Sequence, residues 1–308
     1  MTNENGYRAA ERALWDAFGV MPAERHVALE RLGASVRVQE IGDGPPVVFV
    51  HGASNAGTSW ATLATRLDGF RCILLDRPGC GLSDRLDATF EDVDQLGSFA
   101  EALVVDVLDA LDIDRAGLVA TSFGGYIGLR TIAAHPDRID RLVELGWTIG
   151  APIAKTPWVM RVGSARVMGR MMTKMPVNAR MVRSMLRSIG LRNAVDTGRF
   201  TQPMVEWFMS LLRDTDTMKN ELAAGPRILT PFRGVNDSIL LPSDVLASIR
   251  VATKFVWGAD DPFGGADTAR AFVSQIPGAQ LELVPGGHAV WIDDPDGVAK
   301  TVGGFLAS

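Results

Sequence analysis

Gly117-Leu118-Val119-Ala120-Thr121-Ser122-Phe123-Gly124-Gly125 reads as a strand, a sharp turn and the start of a helix. Ser122 falls at the turn, with small residues two before and two after it, Ala120 and Gly124. A turn this tight crowds the neighbouring backbone, so those positions must be small. In return the Ser hydroxyl is lifted above the sheet edge at a helix N-terminus, as a nucleophile elbow requires. The usual form has Gly at both flanks, so Ala120 departs from it by one methyl. A lone Ser-x-Gly is most often a helix N-cap. The weight of the reading therefore rests on what surrounds it.

Outward from the elbow, short apolar runs alternate with helical patterns. Ser35–Ile41 alternates apolar and polar residues as a half-buried strand does, and Pro46–Val50 is a continuous apolar run suited to burial on both faces. Arg71–Leu75, Arg141–Leu145, Thr253–Trp257 and Gln280–Val284 read as further strands. Helices are expected at residues 7–18, 59–67, 96–111, from Ser122 to about Ala134, 265–275 and 295–306. Strands alternating with helices predict an α/β fold with a mostly parallel, doubly wound sheet.

The chain has 308 residues, enough for one large α/β domain without disulfides. With 47% hydrophobic and 22% charged residues it is a globular composition. No apolar run is long enough to span a bilayer, and the polar start Met1–Gly6 lacks the apolar core of a secretory signal. The net charge of -5 gives no reason to expect nucleic-acid binding. Cys72 and Cys80, the two cysteines, cannot make a disulfide framework or a structural zinc site, so a cytoplasmic location is expected. Charge is unevenly spread. Residues 151–195 hold nine Lys or Arg and no Asp or Glu, and ten of the twelve Met fall in 151–220. Arg180, Arg183 and Arg187, and Met168, Met171, Met172 and Met175, recur at helical spacing. The segment reads as short amphipathic helices inserted into a larger domain, bounded by Gly150-Ala151-Pro152, Gly225-Pro226 and Pro231.

Several loops at strand ends carry chemistry. His51-Gly52-Ala53-Ser54-Asn55 follows the 46–50 strand, and a Gly there lets the loop fold back toward Ser122. The backbone N–H groups of Ala53 and Phe123 then converge on one oxygen as an oxyanion hole. His51 is read as structural. Asp76-Arg77-Pro78-Gly79-Cys80-Gly81-Leu82-Ser83-Asp84 is read as a rigid turn, with Asp76 and Asp84 bonding loop backbone. Asp260 and Asp261 follow a late strand and either is suited to orient a histidine. His288 lies in a Gly-flanked loop after the last strand, the location a base needs. His26 sits by an edge strand, and His135 caps a helix end before Pro136.

In the order Ser122, Asp261, His288 the chain resembles the α/β-hydrolase superfamily. His51-Gly52, Asp76–Ser83, Ala120–Gly125, Trp257-Gly258-Ala259-Asp260-Asp261 and Gly286-Gly287-His288 carry the resemblance, over roughly residues 26–147 and 235–308. It implies a core of residues 1–147 and 235–308 with a helical cap, 148–234, over the site. It favours Asp261 over Asp260 as the acid, since the last Asp of Gly-x-x-Asp has that role. A Ser nucleophile argues against epoxide and haloalkane chemistry, which use Asp.

The expectation is two-step acyl transfer with no metal or organic cofactor. Ser122 is the nucleophile, His288 the base and Asp261 its orienting partner. Trp147, Trp158, Trp207 and Phe208, with the Met residues, are expected to wall a pocket for a small-molecule substrate. Carboxylic ester or thioester hydrolysis comes first. Hydrolysis of a carbon–carbon bond in vinylogous diketones comes second, because relatives with that activity have a more Gly-rich stretch than Gly52–Gly57. A ligand receptor on the same fold is the non-enzymatic alternative. The basic cap is read as a solvated face, or as the attachment point of an anionic substrate or an acidic carrier protein.

Overall fold

The computed structural model describes residues 2–86, 90–154, 177–230 and 234–308. Ten strands are described: β1 (Ala23–Leu29), β2 (Ala34–Ile41), β3 (Pro46–Val50), β4 (Arg71–Leu75), β5 (Ala116–Ser122), β6 (Ile139–Thr148), β7 (Leu229–Thr230), β8 (Gly234–Val235), β9 (Ala252–Gly258) and β10 (Gln280–Val284). The described helices are α1 (Glu4–Phe18), α2 (Ala61–Ala64), α3 (Val93–Ala110), α4 (Phe123–Ala134), α5 (Ala179–Ser188), α6 (Arg192–Asp196), α7 (Gln202–Asp214), α8 (Thr217–Ile228), α9 (Ser243–Ser248), α10 (Ala266–Val273), α11 (Val290–Asp293) and α12 (Pro295–Leu306).

Eight strands form one sheet in the order β1-β2-β4-β3-β5-β6-β9-β10. The β1–β2 and β2–β4 pairs are antiparallel and the others are parallel. Parallel pairing brings the C-terminal ends of β3, β5, β6, β9 and β10 to one edge, where the loops of an open α/β sheet gather. Val50 pairs with Ala120, so the loop after β3 starts beside the elbow. Gly258 pairs with Val284, so the loops carrying Asp261 and His288 leave the sheet side by side.

The alternation of β3 sorts its side chains between two apolar layers. Val48 and Val50 join Leu118, Ala120 and the inner faces of α3 and α4. Val47 and Phe49 join the opposite layer with α2 and α12. That second layer continues without a break into α1, α5 and α7, through Leu14, Leu186, Val205 and Leu211. We propose the division into a core of residues 1–147 and 235–308 and a cap of 148–234 on the positions of α5 to α8 in the chain, between β6 and β9.

Sequence and structure part company in a few places. Strand β1 was not anticipated, because only Val27 and Leu29 of its seven residues are buried and its pattern is weak. The helix expected at 59–67 is a short 3-10 turn, Gly57–Trp60, followed by α2. Helix α8 runs on through Gly225-Pro226 to Ile228. Proline removes a single N–H from the helical ladder, and here it stands in the last turn. Met168, Met171, Met172 and Met175 lie outside the described residues. Among the described residues no helix is long and apolar enough to cross a membrane.

Candidate active site

Ser122 ends β5 with φ 55° and ψ -117°, and α4 begins at the next residue. A non-glycine residue in that region costs about 1–3 kcal/mol and persists only where its surroundings hold it. The Ser122 carbonyl accepts the Ile149 N–H at 3.0 Å and the Thr148 hydroxyl at 3.2 Å. Gly124 is required by contact: a Cβ there would stand 2.0 Å from the Val50 carbonyl oxygen. Helix α4 is thereby pressed against the end of β3. Gly52 is close from the other side, where an added Cβ would lie 3.0 Å from Ser122 Cβ and 3.4 Å from its Oγ.

Asp261 and His288 are joined. His288 Nδ1 donates to Asp261 Oδ2 at 2.8 Å, and the Asp261 side chain is fully buried. The same Oδ2 accepts the Trp147 N–H at 2.9 Å, and Oδ1 accepts the Phe263 N–H at 3.0 Å. Asp260, by contrast, is exposed. The imidazole stands edge-on to Phe263, with centroids 4.7 Å apart, and its backbone N–H donates to Gly190 O at 3.1 Å. Among the described hydrogen bonds, none links the Ser122 hydroxyl to His288; both side chains face one cavity. Such a contact commonly tightens only when substrate is bound.

The other histidines stand apart. His51 is fully buried; its Nδ1 donates to Gly52 O at 2.7 Å and its Nε2 accepts the Arg77 N–H at 3.1 Å. Burial, aided by the Arg77 charge, pushes its pKa well down, so it stays neutral. His135 is the C-cap of α4 and His26 lies on the edge strand β1. Asp76 accepts the Gly57 and Leu82 N–H groups at 2.7 and 3.0 Å, the loop-bonding role expected of it. For Asp84 it is the main chain that bonds, to Ser35 and Gly79. Among the described residues no group of His, Cys, Asp and Glu is arranged to hold a metal ion.

Ser122, His288, Gly52 and Ala53 open on a cavity of about 260 Å³. Trp147, Trp207 and Phe208 line it, and Met185, Met204 and Met218 add flexible apolar wall. Trp158 lies outside the described residues. Leu14 and Phe18 of α1 also line the cavity, which the sequence reading missed. Their four-residue spacing marks an apolar stripe, but nothing local says what the stripe covers. Phe263 was missed as well, although it stands two residues after Asp261. Apart from His288, Glu221 is the one ionisable side chain among the described lining residues. On α5, Arg183 bonds Gln202 and Arg187 pairs with Asp196, so two of the three arginines there are engaged within the segment itself.

A family model described as the alpha/beta hydrolase family matches residues 47–301. The chain belongs to the alpha/beta hydrolase family. This hydrolase is 27% identical over 258 residues to a 2-hydroxy-6-oxononadienedioate/2-hydroxy-6-oxononatrienedioate hydrolase of Cupriavidus pinatubonensis, covering 77% of this chain and 78% of the relative. Among solved structures it resembles the 2-hydroxy-6-oxo-6-phenylhexa-2,4-dienoate hydrolase of Rhodococcus sp. strain RHA1, with a TM-score of 0.76 and 16% identity over 94% of this chain and all of that one. A carboxylesterase of Bacillus subtilis superposes with a TM-score of 0.73 at 20% identity, covering 98% of each chain. At such identities the two structures speak for the hydrolase fold.

Proposed function

We propose that this hydrolase cleaves a carbonyl compound through an acyl-enzyme on Ser122, and that the bond broken is the carbon–carbon bond of a vinylogous diketone. The residues alone put ester hydrolysis first; the relatives reverse that order. A 2-hydroxy-6-oxo dienedioate contains no ester or amide, so its hydrolysis must break a carbon–carbon bond. The observation that carries the catalytic part is the opening of the strained Ser122 turn and the His288–Asp261 pair onto one apolar cavity.

Ser122 Oγ attacks the ketone carbon and His288 takes its proton. Asp261 holds the imidazole with Nδ1 protonated, leaving Nε2 as the base. The N–H groups of Phe123 and Ala53 receive the oxyanion, about 3–4 kcal/mol per donor in comparable sites. As the tetrahedral adduct collapses, the carbon–carbon bond breaks and its electron pair delocalises into the neighbouring unsaturated carbonyl. The imidazolium returns the proton to the leaving fragment. Water, activated by His288, then releases the acid from Ser122.

Ester hydrolysis is the second reading, and the lining favours it. Among the described residues no Lys or Arg lines the cavity, and Glu221, its one carboxylate, is paired with Arg77, so a dicarboxylate meets no free cation there. A neutral ester with a bulky acyl or aryl group suits that wall. On the diketone reading the same feature selects a ketone bearing an apolar group in place of a second carboxylate. An anionic carrier finds no support in the arginines of α5. Steady-state rates on ring-fission diketones with aryl and carboxyl ends, beside p-nitrophenyl esters of rising acyl length, test the choice. Turnover of the aryl diketone above every ester is expected. Esters turning over fast with the diketones untouched would replace the first reading with the second. Slow fluorophosphonate labelling of Ser122 would leave only a receptor.

A further inference from the structure

We propose that Arg77 is a positioning residue for the oxyanion hole, and that Glu221 of α8 ties its setting to the cavity. The inference rests on the reading of Ser122 as nucleophile.

Arg77 follows β4 and is buried against the first residues of the loop after β3. Its Nε donates to His51 O at 3.1 Å and its Nη2 to Gly52 O at 3.0 Å. One rigid guanidinium therefore pins two successive carbonyls. Gly52 O also accepts His51 Nδ1. That carbonyl belongs to the same planar peptide as the Ala53 N–H. In a trans peptide the two point in opposite directions. Holding Gly52 O toward Arg77 thus turns the Ala53 N–H away from it, while Gly52 itself sits against Ser122. The guanidinium carbon also stands 4.7 Å from the centre of the Phe123 ring, on the residue that supplies the second N–H. Arg77 touches both halves of the hole and none of the reacting atoms.

A buried guanidinium needs a counter-charge. Glu221 Oε1 accepts from Arg77 Nη2 at 2.8 Å and from the Cys80 thiol at 3.3 Å. Two neighbouring bonds dock the same helix on the same turn: Asn220 Nδ2 donates to Gly79 O at 2.8 Å, and Thr217 Oγ1 accepts the Gly81 N–H at 2.9 Å. Glu221 also lines the cavity. A ligand pressing on α8 thereby bears on the donor that will meet its oxyanion.

An arylalkyl trifluoromethyl ketone tests this. Ser122 Oγ adds to its carbonyl carbon, the π pair moves to oxygen, and the Ser proton passes to His288, so its affinity reports the hole. The matching alcohol fills the cavity without forming an adduct. In Arg77→Met and Arg77→Lys, ketone affinity and kcat should fall at least about tenfold, with alcohol affinity and KM within about twofold. Lysine keeps the charge but cannot grip both carbonyls, so it should not rescue. Glu221→Gln should shift the same readouts less, and it carries the test if neither Arg77 variant folds. Equal losses for ketone and alcohol would make Arg77 merely structural and overturn the inference. Undiminished discrimination in the variants would overturn it too, with Ser122 still the nucleophile. A parent enzyme that binds the ketone no better than the alcohol would overturn the reading of Ser122 itself, and this inference with it.

Discussion

His288 Nδ1 donates a hydrogen bond to the same Asp261 oxygen that accepts the Trp147 N–H, at 2.8 and 2.9 Å. Two backbone N–H groups and one imidazole hold a fully buried carboxylate between them, so its orientation is fixed before substrate arrives. Asp261→Asn keeps the shape but loses the charge that stabilises the imidazolium, and either orientation of its amide sets an N–H donor against a backbone N–H. Its kcat should drop by a factor on the order of 10⁴, with stability lowered by about 1–3 kcal/mol. Steady-state kinetics beside thermal unfolding checks it.

Gly52→Ala should separate activity from stability. The new methyl would lie 3.0 Å from Ser122 Cβ, close enough to displace the nucleophile by a few tenths of an ångström. Activity should fall by roughly tenfold, since a misplacement of about 1 Å costs about a hundredfold, while the fold survives. Gly124→Ala meets backbone at 2.0 Å and should instead fail to fold.

Glu144 on β6 is fully buried, and neither carboxyl oxygen has a hydrogen-bond partner. Burial pushes its pKa well up, so it stays protonated in the folded chain. Unfolded, it ionises above about pH 4.3. Between those two values the folded state binds the extra proton, and stability declines as pH rises. Glu144→Gln removes that decline. The melting temperature of the variant relative to the parent should climb with pH above about 4.3, and a pH-independent difference would refute the assignment.

Leu14→Ala tests the wall supplied by α1. Leu14 is buried and faces the cavity. The variant should lose about 2–4 kcal/mol of stability and shift preference toward bulkier acyl groups. Denaturant titration and the ester panel measure the two effects.

Both thiols should be silent in the native protein. Burial pushes Cys72 up to about 12, and pushes Cys80 well up against the opposing Arg77 charge. Thiolate is the reactive form, so Ellman's reagent at about pH 8 should titrate no thiol until the chain unfolds, and activity should be unaffected.

The sheet was legible because β3 and β5 lie at its centre and must be apolar on both faces. Strand β1 was not, because an edge strand with five exposed residues carries almost no pattern. Ser122, Asp261 and His288 were legible because sharp turns need small neighbours, and those neighbours flag the loops. Leu14, Phe18 and Glu221 were not. Each sits on an ordinary amphipathic helix, and which helix faces the cavity depends on packing between segments some two hundred residues apart. Arg77 was read only as part of a rigid turn, since its grip on two carbonyls exists only after the chain has folded back.

The apolar layer shared by α1, α7 and the sheet bears on domain grafting. A chimaera made by exchanging residues 148–234 between relatives would carry over one side of the chamber and leave a foreign N-terminal helix as the other. Transplanted selectivity should follow only when α1 travels with the exchanged segment, as one inherited unit split across the gene.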